Sequence, residues 1–291
     1  MPETRSAAYA GSWYEQNGEV LSRQLGEWLQ KADNPYTAPV RAIIAPHAGY
    51  RYSGRCAAYA YKHIDPSQIK RVFLLGPSHH YFTRKCCLSI ASSYSSPLGD
   101  IPIDPQVYQE LRQSGHFEEM SLKVDEAEHS LEMHLPYISK VMSGHDFTLV
   151  PIMVGALTPE SEAFYGQVLT GYLNDPANLF VISSDFCHWG RRFNFTFHDK
   201  KCGPIYKSIE ALDKLGLDII EKQDTSGFTK YLRDYENTIC GRHPIGVLLN
   251  VVQFNSGKFD VKFVQYEQSS QCQTANDSSV SYASGVFMLR G

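Results

Sequence analysis

The chain has 291 residues, of which 43% are hydrophobic and 20% are charged, as in an ordinary globular protein. Its formal net charge is -4 without a long run of one sign, which argues against the basic stripe of a nucleic-acid-binding protein. No stretch reaches the roughly 18 apolar residues of a membrane span, and the first residues lack the apolar segment of a signal peptide. We therefore expect no nucleic-acid partner and no membrane insertion.

Helix and strand patterns alternate along the whole sequence. Helical spacing and capping signals predict helices over 20–29 and 53–63, from Asp104 onward, and over 161–173, 205–223 and 245–252. Apolar runs bounded by turn residues predict strands within 41–46, 71–78, 87–91, 148–154, 179–187, 261–266 and 280–289. Because the composition does not break anywhere, we expect one α/β domain over residues 1–291, with a central mixed or mostly parallel β-sheet flanked by helices.

Three of the strand-like runs stop at a histidine. They run into His47, into the pair His79 and His80, and into His188. Ligands of open α/β sheets bind just beyond the carboxyl ends of the strands, so these imidazoles are predicted to share one edge. Adjacent residues of an extended chain point to opposite faces, so only one of His79 and His80 can face a shared site. Spacing alone does not choose between them.

Asp185 lies three residues before His188. A carboxylate in this place can orient an imidazole and raise its basicity, whereas the simpler alternative is an aspartate that caps the next turn. A serine hydrolase is disfavoured, because the chain has no Gly-x-Ser-x-Gly motif.

Cys240 lies just ahead of the predicted helix over 245–252, with Arg242 and His243 close by. This setting predicts a lowered thiol pKa and a thiolate able to bind metal, although most free cysteines are simply buried. The segment 128–134 resembles a zinc-binding helix only loosely, because His129 and His134 are five residues apart and do not share a helical face. Its side chains could still reach the rim of a pocket.

Six segments together resemble the eukaryotic Memo family, whose name abbreviates mediator of ErbB-driven cell motility. They are 11–14, 44–50, 75–80, 128–137, 183–190 and 239–246. The family is similar in fold to the LigB-type class III extradiol dioxygenases, which hold non-haem Fe(II) with two histidines and a carboxylate. The resemblance therefore implies a LigB-like dioxygenase fold.

The same resemblance implies roles for individual residues. His47 and His79 match the histidine ligands, and Cys240 stands where the carboxylate would be. His188 matches the acid–base histidine of the dioxygenases, and Asp185 lines the same pocket. A thiolate is softer than a carboxylate and can be oxidised, so it favours copper, zinc or thiolate-bound iron and argues against extradiol ring cleavage.

Two functions remain open from the sequence, with a structural relic as a third reading. The first is a redox-related metalloprotein that binds one iron or copper ion per chain and no nucleotide cofactor. If this protein is an enzyme, it is a metal-dependent oxidoreductase. The second is an adaptor whose pocket binds phosphotyrosine-containing receptor tails or cytoskeletal regulators, with Arg191, Arg192 and Arg242 for the phosphate. Trp13 and Tyr52 form apolar walls by resemblance.

The family also implies a role in cell motility and receptor-to-cytoskeleton signalling. The seven cysteines include no Cys-x-x-Cys pair and follow no signal segment, which predicts reduced thiols in the cytosol or the nucleus.

Overall fold

The structure, a computed structural model, describes residues 3–255 and 257–290. Its strands are β1 (Thr4–Arg5), β2 (Val40–Ala45), β3 (Arg71–Pro77), β4 (Cys86–Ser89), β5 (Ser93–Tyr94), β6 (Ile101–Pro102), β7 (Glu118–Met120), β8 (Thr148–Val154), β9 (Asn178–Ser183), β10 (His188–Trp189), β11 (Phe259–Gln268) and β12 (Ser279–Leu289). Its helices are α1 (Gly18–Lys31), α2 (Tyr50–Tyr61), α3 (Pro105–Gln113), α4 (Leu122–Ala127), α5 (His129–Glu132), α6 (Leu135–Val141), α7 (Pro159–Asn174), α8 (Ile205–Glu221), α9 (Thr225–Tyr235) and α10 (Arg242–Gln253).

A mixed sheet organises the fold. Within the described ranges its strands follow the order β10-β12-β2-β9-β3-β8-β4-β7, and β11 pairs with β12. The four central strands β2, β9, β3 and β8 are parallel, whereas β12 and β4 join them in antiparallel fashion. The strands β1, β5 and β6 form a small second sheet. The predicted mixed α/β fold is confirmed.

The central strands are buried along almost their whole length, with only the first residue of β2, β3 and β8 partly exposed, which explains why their sequences are nearly continuous apolar runs. Residues 42–45 of β2, 72–75 of β3 and 179–182 of β9 are at most 2% exposed. Such runs are typical of parallel strands that are covered on both faces. Helix α2 packs against β2, β11 and β12, and the pair α7 and α10 packs against β9, with α10 also against β3.

Most of the long predicted elements are present, and the differences have local causes. The helix predicted from Ser53 begins at Tyr50, and the Ser53 hydroxyl donates a hydrogen bond to the Ala48 carbonyl within its first turn. Helix α10 begins at Arg242, so Pro244 lies in its first turn as predicted. None of the described helices is long and apolar enough to cross a membrane.

Parallel pairing brings the carboxyl ends of β2, β3 and β9 together. These strands end at Ala45, Pro77 and Ser183. The chain segments that follow them therefore meet above the same edge of the sheet.

Candidate functional site

His47 follows β2 and is 2% exposed. Its Nδ1 lies 2.6 Å from Ser183 Oγ, and Ser183 donates its own hydroxyl proton to the Ser130 carbonyl at 2.7 Å. The serine oxygen must therefore accept from His47 Nδ1–H. This fixes the neutral imidazole with a free lone pair on Nε2.

His79 follows β3 and is held by a carboxylate. Glu128 Oε1 lies 2.8 Å from His79 Nδ1, and Glu128 Oε2 accepts the backbone N–H of His79 at 2.5 Å. Burial alone would raise the pKa of Glu128, but the hydrogen bond and charge of His79 lower it to about 2. An ionised Glu128 places the ring proton of His79 on Nδ1 and leaves Nε2 with a free lone pair that can bind a metal ion.

Cys240 precedes the N-terminus of α10 and meets the two histidines. Its sulfur lies 3.3 Å from His47 Nε2 and 3.6 Å from the Asp185 carbonyl oxygen. One ligand atom from each of His47, His79 and Cys240 can be chosen so that all three lie within 4.8 Å of one another. The predicted meeting of the three side chains at one sheet edge is confirmed, and metal binding by them remains a prediction.

The predicted lowering of the Cys240 pKa is wrong. Burial raises the pKa of this thiol well above its ordinary value, and the neighbouring Asp185 carboxylate raises it further. Burial and the nearby histidines likewise lower the pKa of His47. The pocket therefore favours the neutral forms of both groups, and α10 and Arg242 do not reverse this.

Asp185 and His188 both line the site, but the carboxylate does not orient the imidazole. Asp185 Oδ1 accepts the backbone N–H groups of His47 at 2.9 Å and of Ala48 at 3.3 Å. His188 Nδ1 instead donates to the carbonyl groups of Phe186 at 2.8 Å and Thr238 at 3.0 Å. The ring of His188 is thus fixed with its free lone pair on Nε2. Burial raises the pKa of Asp185.

His129 belongs to the site although the sequence did not single it out. Its ring stacks on that of His79 with centroids 4.4 Å apart and contacts the ring of Trp13 at 4.5 Å. Burial and then the neighbouring His79 lower its pKa to about 4. The only sequence signal for His129 was the loose resemblance of segment 128–134 to a zinc-binding helix. Glu128 is the N-cap residue of the short α5 and His129 is its first residue, and both lie at the site, whereas His134 is buried beside Tyr61.

A cavity of about 720 Å³ opens over these residues. Its wall includes His47, His79, His129, Asp185, His188, Trp13, Tyr52, Arg51, Arg192, Phe193 and a group of serines at 269, 270, 278 and 279. Trp13 and Tyr52 therefore lie where the resemblance implied. Cys240 is not among the described residues that form this wall. Its sulfur contacts His47 Nε2 and the Asp185 carbonyl instead.

Two predicted arginines do not line this cavity, which corrects their assignment. Arg242 lies two residues beyond Cys240, at the start of α10, and lines a different cavity together with Glu162 and His243. Arg191 is exposed in the turn after β10 and does not line the cavity, whereas its neighbour Arg192 does. The guanidinium of Arg192 lies 4.4 Å above the ring of Phe193. Sequence spacing did not separate these neighbours.

Comparison with known proteins gives one consistent family. The family model for Memo-like protein matches residues 5–286. Protein MEMO1 of Xenopus laevis is 55% identical over 98% of this chain and 97% of its own length, and human Protein MEMO1 is 53% identical with the same coverage. The Protein memo-1 homolog of Caenorhabditis elegans is 45% identical over 98% of this chain and 83% of its own length.

Among solved structures, an uncharacterized protein of Escherichia coli K12 is similar at a TM-score of 0.47 and 12% identity. The match covers 84% of this chain and 99% of the Escherichia coli protein. A likeness this distant carries no argument about function.

Proposed function

This chain belongs to the Memo family, and from that premise we propose that it binds one iron or copper ion through His47, His79 and Cys240 in a redox-related role. The observation that carries the proposal is the convergence of two imidazole nitrogens and one sulfur within 4.8 Å of one another, with the Nδ1 proton of each imidazole already engaged. Hydrogen bonds of this kind from Nδ1 are typical of metal-binding histidines, because they orient the ring and raise its basicity.

The residues fit a metal ion by distance and by chemistry. Metal–sulfur and metal–nitrogen bonds of about 2.3 Å and 2.0–2.1 Å place two ligands of a tetrahedral ion roughly 3.6 Å apart. The contact of 3.3 Å between Cys240 Sγ and His47 Nε2 is close to that value. One thiolate with two imidazoles is a soft donor set that suits Cu(I) and thiolate-bound iron.

The raised pKa of the Cys240 thiol is consistent with this proposal. A buried thiol releases its proton when a cation takes its place, so metal binding should release a proton and strengthen as pH rises. The bound ion would supply one-electron redox chemistry at the floor of the cavity. The chain would supply His188 Nε2 as the group that accepts or returns a proton there.

Direct titration tests the proposal. Full-length protein, purified without a metal-binding tag, is titrated anaerobically with Fe(II) and with Cu(I) against a competing chelator. We expect one tightly bound ion for the wild type and loss of tight binding in His47→Ala, His79→Ala and Cys240→Ser. Asp185→Asn and His188→Ala should weaken binding only in part, because neither side chain is placed as a ligand.

Cys202→Ser is the matched control, since Cys202 is a free, partly exposed cysteine that lies outside the cavity wall and the three-ligand group. It should bind metal as the wild type does. Cys240→Glu restores a carboxylate and should shift preference from Cu(I) towards Fe(II). Wild-type protein that binds neither ion above a nonspecific background would refute the proposal, and brisk consumption of catechol would refute the expectation that ring cleavage is absent.

The cavity wall favours a second function, capture of an aromatic anion such as the phosphotyrosine of a receptor tail or of a cytoskeletal regulator. Two guanidinium groups rest on aromatic rings of this wall, Arg192 on Phe193 and Arg51 on Tyr52, at 4.4 and 4.9 Å. Arginine binds phosphate with two parallel hydrogen bonds, and the rings suit a phenyl group. This proposal links the chain to receptor-to-cytoskeleton signalling and cell motility, in the cytosol or the nucleus.

A phosphotyrosine peptide and its unphosphorylated form, titrated by calorimetry, test this second function. Arg51→Ala and Arg192→Ala should each weaken binding of the phosphorylated form about tenfold or more, the effect of losing a charge-assisted hydrogen bond of roughly 1.5–3 kcal/mol. Arg191→Ala and Arg242→Ala are matched controls, because these arginines lie outside the wall. Equal affinity for both peptides would count against it.

A further inference from the structure

We infer that Tyr9, Trp13 and His129 form an electron path that joins His79 to the protein surface and carries oxidising equivalents out of the cavity before they reach Cys240. The inference rests on the metal site proposed above. It assigns a redox function to Tyr9 and to Trp13, which otherwise only forms part of the cavity wall.

The rings along this path are in contact from one end to the other. The ring of His79 stacks on His129 with centroids 4.4 Å apart and planes at 19°, and His129 contacts Trp13 at 4.5 Å. Trp13 meets Tyr9 edge-on at 5.4 Å, and Tyr9 also meets His129 edge-on at the longer distance of 5.7 Å. Because electron tunnelling falls off exponentially with the gap between donor and acceptor, ring-to-ring contact gives fast transfer at every step.

The path leads outward. His79, His129 and Trp13 line the cavity, whereas the partly exposed Tyr9 lies beyond its wall. Hydrogen bonds hold Tyr9 in place: its N–H donates to Glu132 Oε1 at 2.8 Å and its hydroxyl donates to the Ala127 carbonyl at 2.6 Å. The backbone N–H of Trp13 donates to the Tyr9 carbonyl at 3.0 Å, which holds the backbone of the two residues close together.

The chemistry of the side chains sets the roles along the path. Indole and phenol lose one electron much more easily than imidazole does, so Trp13 and Tyr9 carry the charge and His129 bridges them to His79. A sulfur ligand needs such a path, because a thiolate beside an oxidant proceeds to sulfinic and sulfonic acids that are not readily reversed.

The electrons balance with hydrogen peroxide as oxidant and a soluble thiol as reductant. Trp13 gives one electron inward and releases its Nε1 proton to water. Tyr9 then reduces the indolyl radical, which takes up a proton from water, while the phenol of the partly exposed Tyr9 releases its own proton to water. The thiol returns one hydrogen atom to the phenoxyl radical of Tyr9. Two such passages convert one peroxide and two thiols into two waters and one disulfide.

The test mixes Fe(II)-loaded full-length protein with hydrogen peroxide, freezes it within milliseconds and records electron paramagnetic resonance. Fe(II) affinity is measured for each variant first. We expect an indolyl and a phenoxyl signal in the wild type, loss of the indolyl signal and a weaker phenoxyl signal in Trp13→Phe, and loss of only the phenoxyl signal in Tyr9→Phe. Peptide mass spectrometry should show more sulfinic and sulfonic acid at Cys240 in both variants.

Trp28→Phe is the matched control, since Trp28 packs against Tyr50 at 6.1 Å. It should match the wild type in radical signals and in Cys240 oxidation. Signals that survive unchanged in Trp13→Phe would overturn the path. Wild-type protein that binds Fe(II) but forms no aromatic radical overturns the path and leaves the metal site standing, whereas protein that binds no metal overturns both.

Discussion

Two clusters of buried polar groups lie side by side in this fold, and they are built in opposite ways. In the first, Arg5 donates to Asp125 at 3.0 Å and to Glu132 at 2.5 Å, and all three side chains are fully buried. In the second, His47, His79 and Cys240 turn ligand atoms towards one another. The first cluster pairs one guanidinium with two carboxylates that it holds by hydrogen bonds, whereas the second gathers lone pairs.

The hydrogen bonds make the contrast sharper. Arg5 also donates to the carbonyl groups of Ser6, Asp125 and Glu128, so its donors are engaged all round. Asp125 accepts from Ser89 and Tyr94 as well. A cluster satisfied in this way needs no ligand and serves the fold. Nitrogen and sulfur lone pairs that converge with only the Cys240 thiol proton between them are instead the arrangement that a cation stabilises, which is why we assign function to the second cluster.

Breaking the first cluster should have the largest effect on stability. Arg5→Met leaves Asp125 and Glu132 buried without their partner, which should lower the free energy of unfolding by roughly 3–5 kcal/mol. Denaturant unfolding measures it. Arg290→Ala breaks an exposed pair with Asp260 and should cost about 1 kcal/mol or less. Equal losses in the two variants would show that burial of the pair is not what matters.

The second cluster should respond to metal rather than to truncation alone. Fe(II) or Cu(I) at about a hundred times its Kd should stabilise the wild type by about 2.7 kcal/mol. The stabilisation should vanish in His47→Ala and Cys240→Ser, because each variant lacks one donor atom. Thermal unfolding with and without metal measures the shift. A variant that keeps the full shift would remove its residue from the proposed ligand set.

Glu128 connects the two clusters, since its carbonyl accepts from Arg5 and its carboxylate binds His79. Glu128→Gln should weaken metal binding roughly 10–100-fold, the usual effect of losing a partner that orients a ligand. Competition with a chelator measures the affinity. Glu126→Gln is a matched control, because Glu126 accepts only from the exposed N–H of Ser6 among the described hydrogen bonds. An unchanged affinity in Glu128→Gln would contradict the role given to this carboxylate.

The same carboxylate predicts a dependence of stability on pH. The pKa of Glu128 is about 2 in the folded chain, below its ordinary value of 4.5. The stability that it contributes is therefore complete above about pH 4.5 and is lost as pH falls towards 2. The difference in unfolding free energy between wild type and Glu128→Gln should shrink across that range. A difference that stays constant from pH 6 to pH 3 would show that the ionised carboxylate is not responsible.

The sequence predicted the parts of the site that depend on a strand or helix end. His47 was predicted because it comes at the end of an apolar run, and Cys240 because it comes just before a helix. Both signals are local in the sequence. Most of the long strands and helices were predicted from such local patterns, but the eleven-residue helix α9 was missed. The strands β1, β5, β6, β7 and β10 are too short to show a period, and they were missed.

The sequence could not predict contacts made by distant segments. Glu128 reaches His79 across 49 positions, and no pattern announces that pairing. The rise in the pKa of Cys240 depends on burial, which is a property of the packed chain, so local neighbours gave the wrong sign. The sequence predicted both Arg191 and Arg192 for the cavity, and only Arg192 lines its wall, because neighbouring residues of a turn differ in direction without any period.

Substitution of His80, next to the proposed ligand His79, should have the smallest effect on stability. These two adjacent histidines allow a held and an unheld imidazole to be compared directly. Glu128 holds His79, whose side chain is 26% exposed, whereas the exposed His80 lies with its ring 6.4 Å from that of His79. His80→Ala should change the free energy of unfolding by no more than about 0.5 kcal/mol, as is usual for surface positions. It should also leave metal affinity unchanged, because His80 lies outside the three-ligand group. Chelator competition on His79→Ala and His80→Ala side by side measures this, and equal losses in the two variants would mean that the local density of imidazoles, rather than the orientation given by Glu128, holds the ion.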